Sequence, residues 1–145
     1  MKTLTDLKRF NMIEQQIRTW DVFDTLILDL YDKIKREEYV PESYKKIAFT
    51  DTQIPLKHNQ YMLAPKQEAR VLQSLQLKPT DHILHVGTGT GFFAALLASL
   101  SKHVVTMDLF DNFLDEAKKI HQKDNLSNLS YINDDGVQGN PFQDQ

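Results

Sequence analysis

The run Ile83-Leu84-His85-Val86-Gly87-Thr88-Gly89-Thr90-Gly91-Phe92 carries the clearest chemical signal in this sequence. An apolar strand pattern enters a Gly-x-Gly-x-Gly turn, and a helical pattern starts at once. Such a turn needs glycine where a side chain would hold a ligand away from the main chain. The N–H groups at a helix start lack intrahelical partners and face whatever binds there. The spacing departs from the dinucleotide fingerprint, which wants glycine at position 92, held here by Phe92. A tight turn with no ligand uses the same residues, so its place between strand and helix is what favours binding.

Two acids follow the same logic. Asp108 ends the next strand pattern, 17 residues after Gly91. In an open parallel sheet that position lies beside the glycine turn, where a carboxylate accepts hydrogen bonds from two ribose hydroxyls. A solvated acid at a strand end is the bland reading, and the nearby turn tips the balance to ribose. Asp135, in Asp134-Asp135-Gly136, follows the third strand pattern and stands where an acceptor would meet an adenine amino group. In isolation it reads as an ordinary turn.

The elements that position these residues alternate. His82–Val86, Val104–Asp108 and Leu129–Ile132 read as strands. Between them, 91–100 reads as a helix, as does 111–123, with Asp111 as its cap and Phe113, Leu114, Ala117 and Ile120 inward. Strand–helix alternation predicts parallel strands with helical crossovers. Pro65 opens a helix to about Leu77 with Ala69, Leu72 and Leu75–Gln76 inward. Upstream, Leu4, Leu7, Phe10, Ile13 and Ile17 predict one helical face ending near Trp20, and Asp24 caps a second helix carrying Ile27, Leu30, Tyr31 and Ile34. Pro41 opens a short helical turn over 43–47, and 49–64 reads as loop with short extended pieces. The predicted division is 1–64 as a helical and loop segment and 65–145 as an α/β domain.

Bulk properties narrow the function classes. The 145 residues are 41% hydrophobic and 26% charged, with net charge −3, which suits one globular domain. Residues 1–75 carry 12 basic and 11 acidic side chains and 76–145 carry 5 and 9; an acidic second half argues against nucleic acid as its ligand. The longest apolar run, around Phe92–Ala98, is far too short to span a bilayer, and Met1–Asp6 carries no signal-peptide pattern. The absence of cysteine agrees with a cytoplasmic location. His58, His82, His103 and His121 have no spacing with carboxylates that predicts a metal site.

Glycine turn, strand-end acid and second acid, in this order, resemble the class I S-adenosylmethionine-dependent methyltransferases. Other residues narrow the resemblance: Glu14-Gln15-Gln16-Ile17-Arg18-Thr19-Trp20-Asp21-Val22, Tyr39-Val40-Pro41, Ile54-Pro55-Leu56, Gln60 and Asp135-Gly136-Val137-Gln138-Gly139 are similar to stretches of the protein-L-isoaspartate O-methyltransferase family. Residues 62–70 look most like a bacterial side branch. The resemblance implies an α/β fold: a partial Rossmann-like sheet of three strands behind an N-terminal helical segment. It implies S-adenosyl-L-methionine as cofactor, bound by Gly87, Thr88, Gly89, Gly91, Asp108 and Asp135. The implied reaction is methylation of a carboxylate on an isoaspartyl-containing protein or peptide, a step in protein repair. Gln60 and Tyr61–Leu63 are implied to border the transfer region, and no catalytic residue is assigned.

The sequence departs from the family in places. His85 stands where an acid is usual, Leu63 where a serine is assigned to the active site, Asn59 for a glycine and Asn140 for a tryptophan. The family's chains also continue into a fourth strand beside the first, so the resemblance implies a C-terminally truncated chain with an open edge at His82–Val86. Two other readings therefore stay open: a non-catalytic remnant with weak or no cofactor binding, and an interaction module, or oligomer, whose open edge is covered by another chain.

Overall fold

The computed structural model describes residues 3–134. The chain divides into two compact units, Met1–Leu77 and Lys78–Gln145.

In the first unit, α1 (Leu4–Met12) starts at a reciprocal cap: the Asp6 amide donates to Thr3 Oγ1 and the Thr3 amide to the Asp6 carboxylate. It runs on through a π-helical turn (Ile13–Ile17) and a 3₁₀ turn (Arg18–Trp20). Of the predicted apolar face only Ile13 and Ile17 turn inward. Met12, Ile13 and Ile17 are buried, but Leu4, Leu7 and Phe10 are exposed, and Arg9 is buried in their place. Ion pairs decide this: Arg9 Nη1 donates to Asp6 Oδ1 at 2.9 Å and Nη2 to the Glu37 carboxylate. The wider π turn then rotates the inward face by part of a turn.

Helix α2 (Thr25–Lys33) is capped by Asp24, whose Oδ1 accepts from the Leu26 amide. A short antiparallel pair, β1 (Ile54–Pro55) and β2 (Tyr61–Met62), lies in the predicted loop. Helix α3 (Pro65–Ser74) stops earlier than expected, and Leu75 is exposed. Expected to open the second unit, α3 instead belongs to the first. Its buried Glu68 and the fully buried Arg36 form an ion pair at 3.0 Å, and Tyr31 Oη donates to the same carboxylate oxygen at 2.8 Å. Arg36 also donates to the carbonyls of Ala48 (2.8 Å) and Leu63 (2.9 Å), fastening both ends of the 48–63 loop. Further along α3, the Gln73 side chain donates to Asp21 O and accepts from the amides of Phe23 and Asp24. These polar ties, invisible to hydrophobic periodicity, set the boundary after Leu77.

The second unit holds β3 (His82–Val86), α4 (Phe92–Leu100), β4 (His103–Asp108), α5 (Asp111–Lys123) and β5 (Leu129–Asn133). The strands form a parallel sheet in the order β3-β4-β5, as strand–helix alternation predicts. Among the described residues β3 pairs on one side only, with β4. Helix α4 is apolar nearly all round and buries Phe92 and Ala94–Ala98, as a core helix does. Helix α5 buries Phe113, Leu114, Ala117 and His121. The inward position after Ala117 is therefore His121 and not the expected Ile120. Asp111 is the first helical residue and not the cap.

Candidate cofactor site

Parallel pairing brings the carboxyl ends of all three strands to one edge, with Val86 beside Met107 and Asp108 beside Asn133. Gly87, Gly89 and Gly91 all take left-handed backbone, with φ of +95°, +54° and +89°. An L residue is strained there, so glycine is required by conformation as well as clearance. The two outer glycines differ. Among the described residues a Cβ at Gly87 would meet nothing within 4 Å, while one at Gly91 would lie 2.5 Å from Ala117 Cβ. Gly87 faces open space and Gly91 faces packed protein.

Asp108 sits against this turn. Its Oδ2 accepts from the Gly89 amide at 3.0 Å and its Oδ1 from the Phe110 amide at 2.9 Å. The carboxylate is buried, yet each oxygen has a second lone pair, enough for two further donors. Leu109, next in sequence, has 60% of its surface exposed, and Val86, paired with Met107, is exposed as well.

Within the turn itself the protein engages most of the main-chain donors. Four of its N–H groups, those of Gly87, Thr88, Gly89 and Gly91, are bonded within the protein. The amides of Gly87 and Thr88 donate to Met107 O, that of Gly91 to Thr88 O and that of Gly89 to Asp108. The turn closes on the neighbouring strand, and what it offers outward is clearance. Thr88 likewise turns inward: it is buried, and its Oγ1 lies 2.7 Å from Thr106 Oγ1.

Thr106 is a hub that sequence reading missed. Besides Thr88 it meets the cross-strand His85, Nδ1 to Oγ1 at 3.0 Å. Phe93 packs edge-on to the His85 ring at 5.5 Å. Burial pushes the His85 pKa down to about 4, against the pull of the Asp108 carboxylate. His85 is thus a neutral imidazole that belongs to an internal network. A threonine in the middle of an apolar strand (Val104-Val105-Thr106-Met107) was the available signal for the hub.

The structure thus brings Gly87, Thr88, Gly89, Gly91 and Asp108 together. Asp135 lies outside the described residues, as does the 135–139 stretch. A cavity of about 490 Å³ in the first unit, between α1 and α2, has mostly charged walls and none of these residues in them.

Comparison with known proteins places the geometry in context. The family model described as Protein-L-isoaspartate(D-aspartate) O-methyltransferase matches residues 8–144. Protein-L-isoaspartate O-methyltransferase from Koribacter versatilis is 35% identical over 133 residues, which is 92% of this chain and 60% of that protein. The protein of the same name from Methanoculleus marisnigri is 31% identical over 134 residues, 92% of this chain and 61% of the relative. The chain therefore spans about three-fifths of these relatives' length. A solved protein-L-isoaspartate O-methyltransferase shares the fold with TM-score 0.75 at 20% identity, over 96% of this chain and 44% of that one.

Proposed function

This chain belongs to the protein-L-isoaspartate(D-aspartate) O-methyltransferase family, and from that premise we propose that its second unit is the S-adenosylmethionine-binding part of an enzyme that methylates isoaspartyl carboxylates. The observation that carries the reading is the Asp108 carboxylate fixed on the Gly89 amide at 3.0 Å, beside a Gly87 whose missing side chain leaves open space. The residues present fit an adenosyl group. Asp108 keeps lone pairs for two ribose hydroxyls, Gly87 and Gly89 allow close approach, and exposed Leu109 gives a purine an apolar face. Gly91 and Thr88 act from within, by shaping the turn. Asp135 is assigned the adenine amino group by its place after β5.

When bound, S-adenosylmethionine supplies a sulfonium-activated methyl group. The chain's task is geometric. A carboxylate acceptor is ionised at neutral pH, so no side chain need remove a proton, and no catalytic residue is assigned. Alignment of the acceptor oxygen with the methyl–sulfur axis is the contribution that matters, since orientation is worth several kcal/mol of barrier. Gln60 and Tyr61–Leu63 are assigned to the acceptor side, with the Arg36 bonds to Ala48 O and Leu63 O holding their loop. The reading further assigns the protein to cytoplasmic repair of damaged protein, in keeping with a chain that lacks cysteine. Among the described residues no helix is long and apolar enough to cross a membrane.

Calorimetry with S-adenosylhomocysteine and a labelled-methyl transfer assay on paired isoaspartyl and aspartyl peptides test the proposal. Saturable binding with transfer to the isoaspartyl peptide alone is expected. Silence in calorimetry would refute cofactor binding and favour the remnant reading. Binding without transfer would limit this chain to the cofactor-holding role.

A further inference from the structure

His121 is fully buried on α5, with both ring nitrogens engaged. Its Nε2 lies 2.7 Å from Gly91 O and its Nδ1 2.7 Å from Tyr131 Oη. A carbonyl oxygen only accepts, so Nε2 carries the proton, Nδ1 accepts, and Tyr131 donates. Burial lowers the His121 pKa, which keeps the ring in this neutral form.

The Gly91 carbonyl already accepts the first bond of α4, from the Ala95 amide at 3.0 Å. It needs no second donor to avoid being buried unpaired. The imidazole bond is therefore an added constraint on the direction of that peptide. The constraint passes along the turn. The Gly91 amide holds Thr88 O at 2.9 Å, and the next residue, Gly89, holds the Asp108 carboxylate. The contact surface is tight, since a Cβ at Gly91 would lie 3.0 Å from His121 Nε2. The Tyr131 ring stacks on the imidazole, 5.8 Å between centroids at 26°, and links the arrangement to β5.

We propose that His121 is a positioning residue: by holding the Gly91 carbonyl it keeps the Gly87–Gly91 turn at the clearance an adenosyl ligand requires, with Tyr131 setting its tautomer. The inference rests on the cofactor reading above for its ligand, but the brace itself is a property of the free chain.

Two amide variants separate position from polarity. A glutamine amide nitrogen reaches roughly where Nε2 lies, and an asparagine amide only about as far as Nδ1. In the full chain, His121→Asn is expected to weaken S-adenosylhomocysteine binding about tenfold, the scale of one well-placed buried hydrogen bond. Amide hydrogen exchange over 87–91 is expected to quicken by a similar factor without ligand. His121→Gln should stay within about threefold of the parent on both measures. Equal behaviour of the two variants, or no effect from either, overturns the proposal. Nitrogen-15 NMR of the parent chain gives a test that needs no variant to fold. The proposal requires the Nε2–H tautomer, and an Nδ1–H or doubly protonated ring overturns it. If the parent chain fails to bind S-adenosylhomocysteine, the cofactor reading falls, while exchange and tautomer still decide whether His121 braces the turn.

Discussion

Replacing Gly87 and Gly91 with alanine, one at a time, separates clearance for a ligand from packing inside the protein. Both positions have φ near +90°, where an L residue carries about 1–2 kcal/mol of strain. At Gly87 that is the whole cost, because among the described residues a Cβ there meets nothing within 4 Å. At Gly91 the new methyl would sit 2.5 Å from Ala117 Cβ and 3.0 Å from His121 Nε2. Neither neighbour is the far end of a flexible chain, so α5 must shift, and overpacking adds about 1–3 kcal/mol. Gly87→Ala should therefore lose about 1–2 kcal/mol of stability and Gly91→Ala about 2–5 kcal/mol. Urea unfolding followed by circular dichroism measures both. Binding is expected to rank the other way per unit of lost stability. The Gly87 methyl projects into the space assigned to the adenosyl group and should weaken S-adenosylhomocysteine binding at least about tenfold. A Gly87→Ala variant less stable than Gly91→Ala, or one that binds like the parent, would refute this account of the turn.

Asp108→Asn turns an amide NH2, a donor, towards one of the two backbone N–H groups that now meet a carboxylate oxygen. Loss of about 1–3 kcal/mol in unfolding experiments is expected, with at least tenfold weaker nucleoside binding by calorimetry. Arg36→Met leaves the Glu68 carboxylate buried without its cation and should cost about 3–5 kcal/mol. Adding Glu68→Leu should restore only part of that, since Ala48 O and Leu63 O still lack their donor. Full recovery would show that Arg36 serves the ion pair alone. His85 is neutral in the fold down to a pKa of about 4, against an ordinary 6.5. The unfolded chain takes up that proton first, so the stability due to this group is complete above pH 6.5 and falls as pH drops towards 4. At about 1.4 kcal/mol per pKa unit the ceiling is about 3 kcal/mol. Burial raises the Glu68 carboxyl, which titrates with the opposite sign. The contribution of His85 is therefore read as the difference between parent and His85→Asn across pH 4–6.5, and a flat difference contradicts it.

Much of the second unit was legible from local pattern. The strands at His82, Val104 and Leu129, the helices between them and the glycine turn each follow from periodicity or backbone freedom, which act over a few residues. Their parallel direction follows from strand–helix alternation. The nearness of Asp108 to the turn follows in turn, because parallel strands end on the same side.

Tertiary structure decided what depends on partners distant in sequence. No periodicity rule puts Arg9 inside and Leu4 outside, because that choice rests on Glu37, 28 residues away. Membership of α3 in the first unit rests on Glu68 meeting Arg36 and Tyr31. No local pattern names partners for the turn's amides, yet Met107 O and the Asp108 carboxylate take those of Gly87, Thr88 and Gly89 once β4 lies alongside. His121 became a partner of Gly91 across 30 positions. Local sequence settles which backbone conformations are cheap. Which hydrogen bonds are made is settled only when the chain has brought donors and acceptors together, and there the inward-facing roles of Thr88 and His121 were decided.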